Sequence, residues 1–80
     1  MKITIHHYGA FRKIGSKTDL EVPAPATIGA VRAALAAQMG EQHKLLIEDS
    51  VLANDTDILP DEFIISDSCA LSVLPPVCGG

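Results

Sequence analysis

A single apolar stripe of helical period, from Ile28 to Met39, limits what this chain can fold into more than any other stretch. Ile28, Val31, Leu35 and Met39 recur at steps of three and four residues, which gives a helix one apolar face. The alanines between them favour helix. Thr27 stands where its hydroxyl can accept an orphan N–H of the first turn, and Gly40 where a left-handed residue can close the last. Most of the remaining chain reads as short strands, so one helix must lie across a sheet.

Lys2 to Tyr8 alternates, with Ile3, Ile5 and His7 on one face and Lys2, Thr4, His6 and Tyr8 on the other. Gly9 punctuates it, and a short connection from Ala10 to Gly15 carries Phe11, Arg12 and Ile14. Thr18 to Val22 is a second strand with Leu20 and Val22 inward, stopped by Pro23 and Pro25. The closeness of these two strands in sequence predicts an antiparallel pair. Glu41 to Asp49 reads as a helical turn, and Val51 to Asn54 and Ile58 to Leu59 as short strands around an Asn-Asp-Thr-Asp turn. Pro60-Asp61-Glu62 is a further turn. Ala70 to Leu74 is the last strand, with Leu71 and Val73 on one face and Ala70, Ser72 and Leu74 on the other. The order predicts an α+β roll, a mixed sheet of about five strands on one main helix. The crossover through the helix allows the first and last strands to be parallel neighbours.

The last strand runs into Pro75-Pro76-Val77-Cys78-Gly79-Gly80. Residues 1–74 are thus expected to form the domain and 75–80 a flexible tail. Proline fixes φ and lacks an N–H, so the pair ends the strand and limits the conformations open to the tail. Gly79 and Gly80 have no Cβ and can enter a passage that admits only backbone. Six extended residues reach about 20 Å, enough to deliver the α-carboxylate of Gly80 into another protein's active site.

Other functions are disfavoured by composition. The formal net charge is −4 and only six Lys and Arg are present, which argues against nucleic acid and for basic clefts on partners. No apolar run approaches the length needed to span a membrane, and the strand-like start does not read as a signal peptide. Two cysteines, Cys69 and Cys78, make no disulfide framework, and the expected location is the cytoplasm. His6 and His7 are adjacent on a strand and point to opposite faces, so no metal site is expected from them. The carboxylates between Asp55 and Asp67 lack calcium-loop spacing.

Phe11-Arg12-x-x-Gly15 after the first strand, the helix from Thr27 to Leu35, Asn54, and Leu74-Pro75-Pro76-Val77-x-Gly79-Gly80 together resemble the β-grasp (ubiquitin-like) sulfur carriers. Within them the likeness is to small subunits of molybdopterin synthase, and it covers nearly the whole chain. Two positions depart from that pattern: Asp67-Ser68 stands where Asp-Gly is usual, and Cys78 where another small residue is usual. The resemblance implies that an ATP-dependent, ubiquitin-activating-type adenylyltransferase adenylates Gly80. Sulfur from a sulfurtransferase or cysteine desulfurase then displaces AMP and leaves a thiocarboxylate, so one hard step is split into two. The thiocarboxylate would donate sulfur to a precursor pterin (precursor Z) on the large catalytic subunit, in a heterotetramer. The chain would bind no cofactor and would have no activity alone.

Pro75, Pro76, Val77, Cys78 and Gly79 are expected to thread the tail, Phe11 and Leu74 are candidate partner contacts, and Arg12 resembles a family arginine that meets the large subunit. The residues themselves leave Phe11 open between a partner contact and the core. As a bare sequence feature, Arg12 is more often a solvated surface charge. Leu74 is placed to join an exposed apolar patch. Cys78 reads more simply as a small tail residue than as a redox or persulfide site, because nothing beside it would lower its pKa. Other acceptors (thiamine, a tRNA base or a specialised metabolite) and a ubiquitin-like modifier joined to lysines through Gly80 share the same tail. A structural adaptor domain is the remaining alternative.

Overall fold

A computed structural model describes residues 1–75. The chain runs β1 (Lys2–His7), a 3-10 turn (Gly9–Lys13), β2 (Lys17–Glu21), β3 (Ala26–Thr27) and α1 (Ile28–Met39). A second 3-10 turn (Glu41–His43) leads into α2 (Lys44–Glu48), then β4 (Val51–Ala53), β5 (Ile58–Leu59), β6 (Ile64–Ile65) and β7 (Cys69–Leu74). The main sheet has the order β2-β1-β7-β4-β5, with β1 and β7 parallel and the other pairs antiparallel. This is the β-grasp roll implied by the resemblance, and β7 lies in its centre.

The alternation in β1 and β7 explains their place. Ile3 and Ile5 from β1 and Leu71 and Val73 from β7 point to one face and are buried. Leu20 from β2 and Leu52 from β4 join them. The predicted stripe of α1 closes over this layer, with Ile28, Val31 and Leu35 fully buried and Met39 packed against the cluster. Ile47 of α2 fills the remaining side. The core is almost wholly aliphatic, as the scarcity of aromatics requires.

Helix α1 begins where Thr27 accepts from the Ala30 N–H at 3.1 Å. Two further orphan donors are met by the 60–63 turn: Ile28 N–H donates to the Phe63 carbonyl and Gly29 N–H to that of Asp61. Gly40 ends the helix with φ 98° and ψ 165°, an extended glycine conformation in place of the expected left-handed helical one.

Two strands escape a reading of the sequence. β3 and β6 pair as a separate two-stranded sheet, Ala26 with Ile65 and Thr27 with Ile64. Two residues carry no detectable period, so alternation cannot reveal such strands. The region from Glu41 to Asp49, expected as a helical turn, is the second 3-10 turn followed by α2. Asn54 ends β4 by accepting from the Thr56 and Asp57 N–H groups at 2.9 and 2.7 Å, a side-chain turn that halts pairing one residue earlier than expected.

Candidate functional site at the root of the C-terminal segment

Parallel pairing carries β1 and β7 out of the sheet at the same end. His7 lies opposite Val73, so the next residues, Tyr8 and Leu74, emerge side by side. The two strands then part: β1 enters the 3-10 turn, and β7 reaches Pro75. The two paths touch at Gly9. A Cβ placed on Gly9 would lie 2.7 Å from Pro75 Cγ and 3.0 Å from Pro75 Cδ. Gly9 also has φ +58°, which disfavours other residues. Glycine is therefore required there twice, once by its backbone and once by the proline ring against it.

The turn carries both remaining predicted contact residues, with different outcomes. Phe11 is fully buried, in the core cluster, and meets His7 edge-on with ring centroids 6.5 Å apart. Its side chain is core, which corrects the expectation that it meets a partner: the 3-10 turn folds inward at this residue and closes one end of the roll. Arg12 is exposed, and its guanidinium lies 5.6 Å from the centre of the Tyr8 ring, within cation–π range. Tyr8 is itself 40% exposed.

Leu74 is half-buried and pairs with Val51 on the face of the sheet away from α1. Val51 and Ala53 share this face along β4, and Ala53 pairs with the exposed Ile58. Tyr8, Leu74, Val51, Ala53 and Ile58 thus form an apolar band leading to Pro75. A shallow cleft of about 500 Å³ beside it is lined by His6, His7, Tyr8, Arg12, Gly15 and Ser16. A larger groove, about 620 Å³, runs along the alanine-rich outer side of α1 towards α2 and shares no residue with this region. Tyr8 and Gly9 belong to the site although sequence reasoning does not single them out. The signal that could have found them is the register of the parallel pair.

Pro76, Val77, Cys78, Gly79 and Gly80 lie outside the described residues. Cys69, at the start of β7, has its thiol pKa pushed up by partial burial and then by the nearby Asp67 carboxylate. At neutral pH it is held as the neutral thiol, which is the unreactive form. Iodoacetamide is expected to modify Cys69 more slowly than a free cysteine at pH 8, with rate rising as pH is raised; mass-spectrometric peptide mapping over time checks this. His6 is exposed and His7 buried, on opposite faces as expected. Among the described residues, no cluster of three or more His, Cys, Asp or Glu side chains is placed to hold a metal ion. Nor is any helix among them long and apolar enough to cross a membrane.

Replacing Gly9 by alanine forces a side chain into the left-handed region, a penalty of about 1–2 kcal/mol. It also pushes the Pro75 ring aside. The expected result is a melting temperature lower by roughly 4–16 °C in a domain this small, measured by circular dichroism. An unchanged value would mean that the turn and Pro75 separate freely.

Solved structures of similar shape come from varied settings. SAMP1 from Haloferax volcanii superposes with a TM-score of 0.74 at 16% identity over 100% of both chains. A Pyrococcus furiosus protein assigned as molybdopterin converting factor subunit 1 gives 0.69 at 17% identity, over 95% of this chain and 98% of that one. ATBAG1, solved in complex with HSP70, gives 0.69 at 13% identity, with 98% of this chain covering 41% of the other. At these identities the likeness establishes the β-grasp, ubiquitin-like fold alone. No curated protein matches the sequence itself. Residues 6–80, however, match the ThiS family from within β1 through the terminal Gly-Gly, and the chain belongs to that family.

Proposed function

We propose that this protein is a sulfur carrier loaded at Gly80 as a C-terminal thiocarboxylate, and that it serves as the small subunit of a molybdopterin synthase. The observation that carries the reading is a ThiS-family match that extends through Pro75-Pro76-Val77-Cys78-Gly79-Gly80. A carboxylate is a poor electrophile, so an adenylyltransferase partner must activate it with ATP, releasing pyrophosphate. The outer sulfur of a persulfide on a sulfurtransferase or cysteine desulfurase then attacks the adenylate and displaces AMP. A second thiol of the donor reduces the resulting acyl disulfide, releasing the thiocarboxylate as that thiol forms a disulfide with the donor cysteine. The thiocarboxylate sulfur attacks the precursor pterin held by the large subunit, which supplies the catalytic groups.

Each part of the described site has a place in this scheme. The apolar band of Leu74, Val51 and Tyr8, with Arg12 at its edge, is the surface offered to the large subunit. Pro75, set against Gly9, is the last fixed point before the segment that would be loaded. The Pyrococcus furiosus relative is described as a subunit, and its likeness supports a partner subunit here.

Intact-mass analysis of the protein from its own, sulfur-replete cells tests the reading. The expected product ends at Gly80 and carries one sulfur in place of one oxygen at that residue. Co-purification with a large synthase subunit is the second expected result. Persistent absence of the sulfur-bearing form counts against the carrier, and recovery of Gly80 in isopeptide linkage to lysines would make the protein a modifier instead.

A further inference from the structure

We infer that His7 is a positioning residue for tail loading, acting through the 3-10 turn that holds Pro75; the inference rests on the carrier reading above. His7 is 4% exposed, on the core face of β1, and both ring nitrogens are engaged. Nδ1 faces two backbone carbonyls, Phe11 at 3.2 Å and Gly15 at 2.9 Å. Carbonyls only accept, so Nδ1 carries the hydrogen and donates to both. Nε2 pairs with the Thr18 hydroxyl at 2.7 Å. One imidazole therefore ties the middle of the turn, the connection after it at Gly15 and the start of β2 to a single point on β1.

This clamp holds the wall against which Pro75 rests. The backbone restraints on the turn are local: Phe11 N–H to Tyr8 carbonyl, Ile14 N–H to Phe11 carbonyl, and His7 N–H to Ser16 carbonyl. The buried Phe11 side chain anchors this stretch by packing alone. The imidazole adds the polar tie that sets the Phe11 and Gly15 carbonyls relative to β1. If it is lost, the turn that places Gly9 and Arg12 is held less closely relative to β7, and Pro75 with it. Misplacement by about 1 Å at the root is enough to lower productive docking of a tail that must enter a narrow passage.

Asparagine and glutamine separate the two halves of the clamp. The Asn amide nitrogen lies as many bonds from Cβ as Nδ1 does, and the Gln amide nitrogen as many as Nε2. His7→Asn keeps the donor to the turn carbonyls, His7→Gln keeps only the partner for Thr18, and His7→Phe keeps neither. All three are compared with wild type in ATP–pyrophosphate exchange by the adenylyltransferase from the same cells. A stability control, Leu35→Ala, alters the core far along α1.

The expected result is a KM for the carrier raised about tenfold in His7→Gln and His7→Phe with kcat nearly unchanged, and a KM close to wild type in His7→Asn and in the control. Amide hydrogen exchange between residues 9 and 16 should quicken in the same two variants and not in His7→Asn. If wild type supports exchange but all variants share its KM, or if KM tracks melting temperature with the control included, His7 is only a core residue and the inference fails. A wild type that supports no exchange overturns the carrier reading itself, and this inference with it.

Discussion

Deleting Gly80, or adding one alanine after it, is expected to lower sulfur loading more than about a thousandfold. The melting temperature should stay close to that of the parent. The first effect comes from reach. A chain advances about 3.3–3.6 Å per extended residue, so the reacting carbonyl would be displaced by that distance from an activating site that cannot move with it. With alanine added, the terminal residue also bears a Cβ. The second effect comes from where stability resides. The core among the described residues runs from Ile3 to Val73 and closes on itself. The measurement is intact mass after incubation with ATP, the adenylyltransferase and a sulfur donor, beside a thermal melt. Normal loading of the extended chain would sink the proposed chemistry.

Replacing Phe11 by alanine is expected to have the largest effect on stability, about 3–5 kcal/mol. Such a loss is a large share of the roughly 5–15 kcal/mol available to a folded domain. The midpoint of thermal unfolding should fall by at least roughly 12 °C. Phe11 has no exposed surface, whereas Tyr8 and Phe63 are 40% and 42% exposed, so Phe11 is the aromatic ring that the core contains. Its loss would open a cavity where the 3-10 turn closes the end of the roll, and the aliphatic neighbours are too short to fill it. Differential scanning calorimetry reads the change directly. A variant that melts like the parent but binds a partner less well would return Phe11 to the surface role that its burial excludes.

These two residues also mark what the sequence could and could not disclose. The helix and the long strands are legible because burial on one side imposes a period, and β1, β7 and α1 each have enough residues to display it. The Gly-Gly end is legible because two glycines after two prolines are chemically unusual. Phe11 is not resolved, since a 3-10 turn offers no repeat from which to read inside and outside. Alternation places His7 on the inner face, but its partners at Phe11 and Gly15 are main-chain carbonyls, which no side-chain pattern announces. The contact of Gly9 with Pro75 joins opposite ends of the chain and exists only because β1 and β7 run parallel.

The central position of β7 has a consequence for synthesis. A polypeptide broken off before residue 69 lacks the strand that joins β1 to β4, and it leaves Ile3, Ile5 and Leu52 without Leu71 and Val73, which lie between them in the core. Such a fragment has two unpaired edges and little that can collapse around α1, and cellular proteases remove chains of that kind. Folding thus doubles as a check on length. Molecules that survive to compete for the loading enzyme are those whose translation reached at least the threshold of the reactive end.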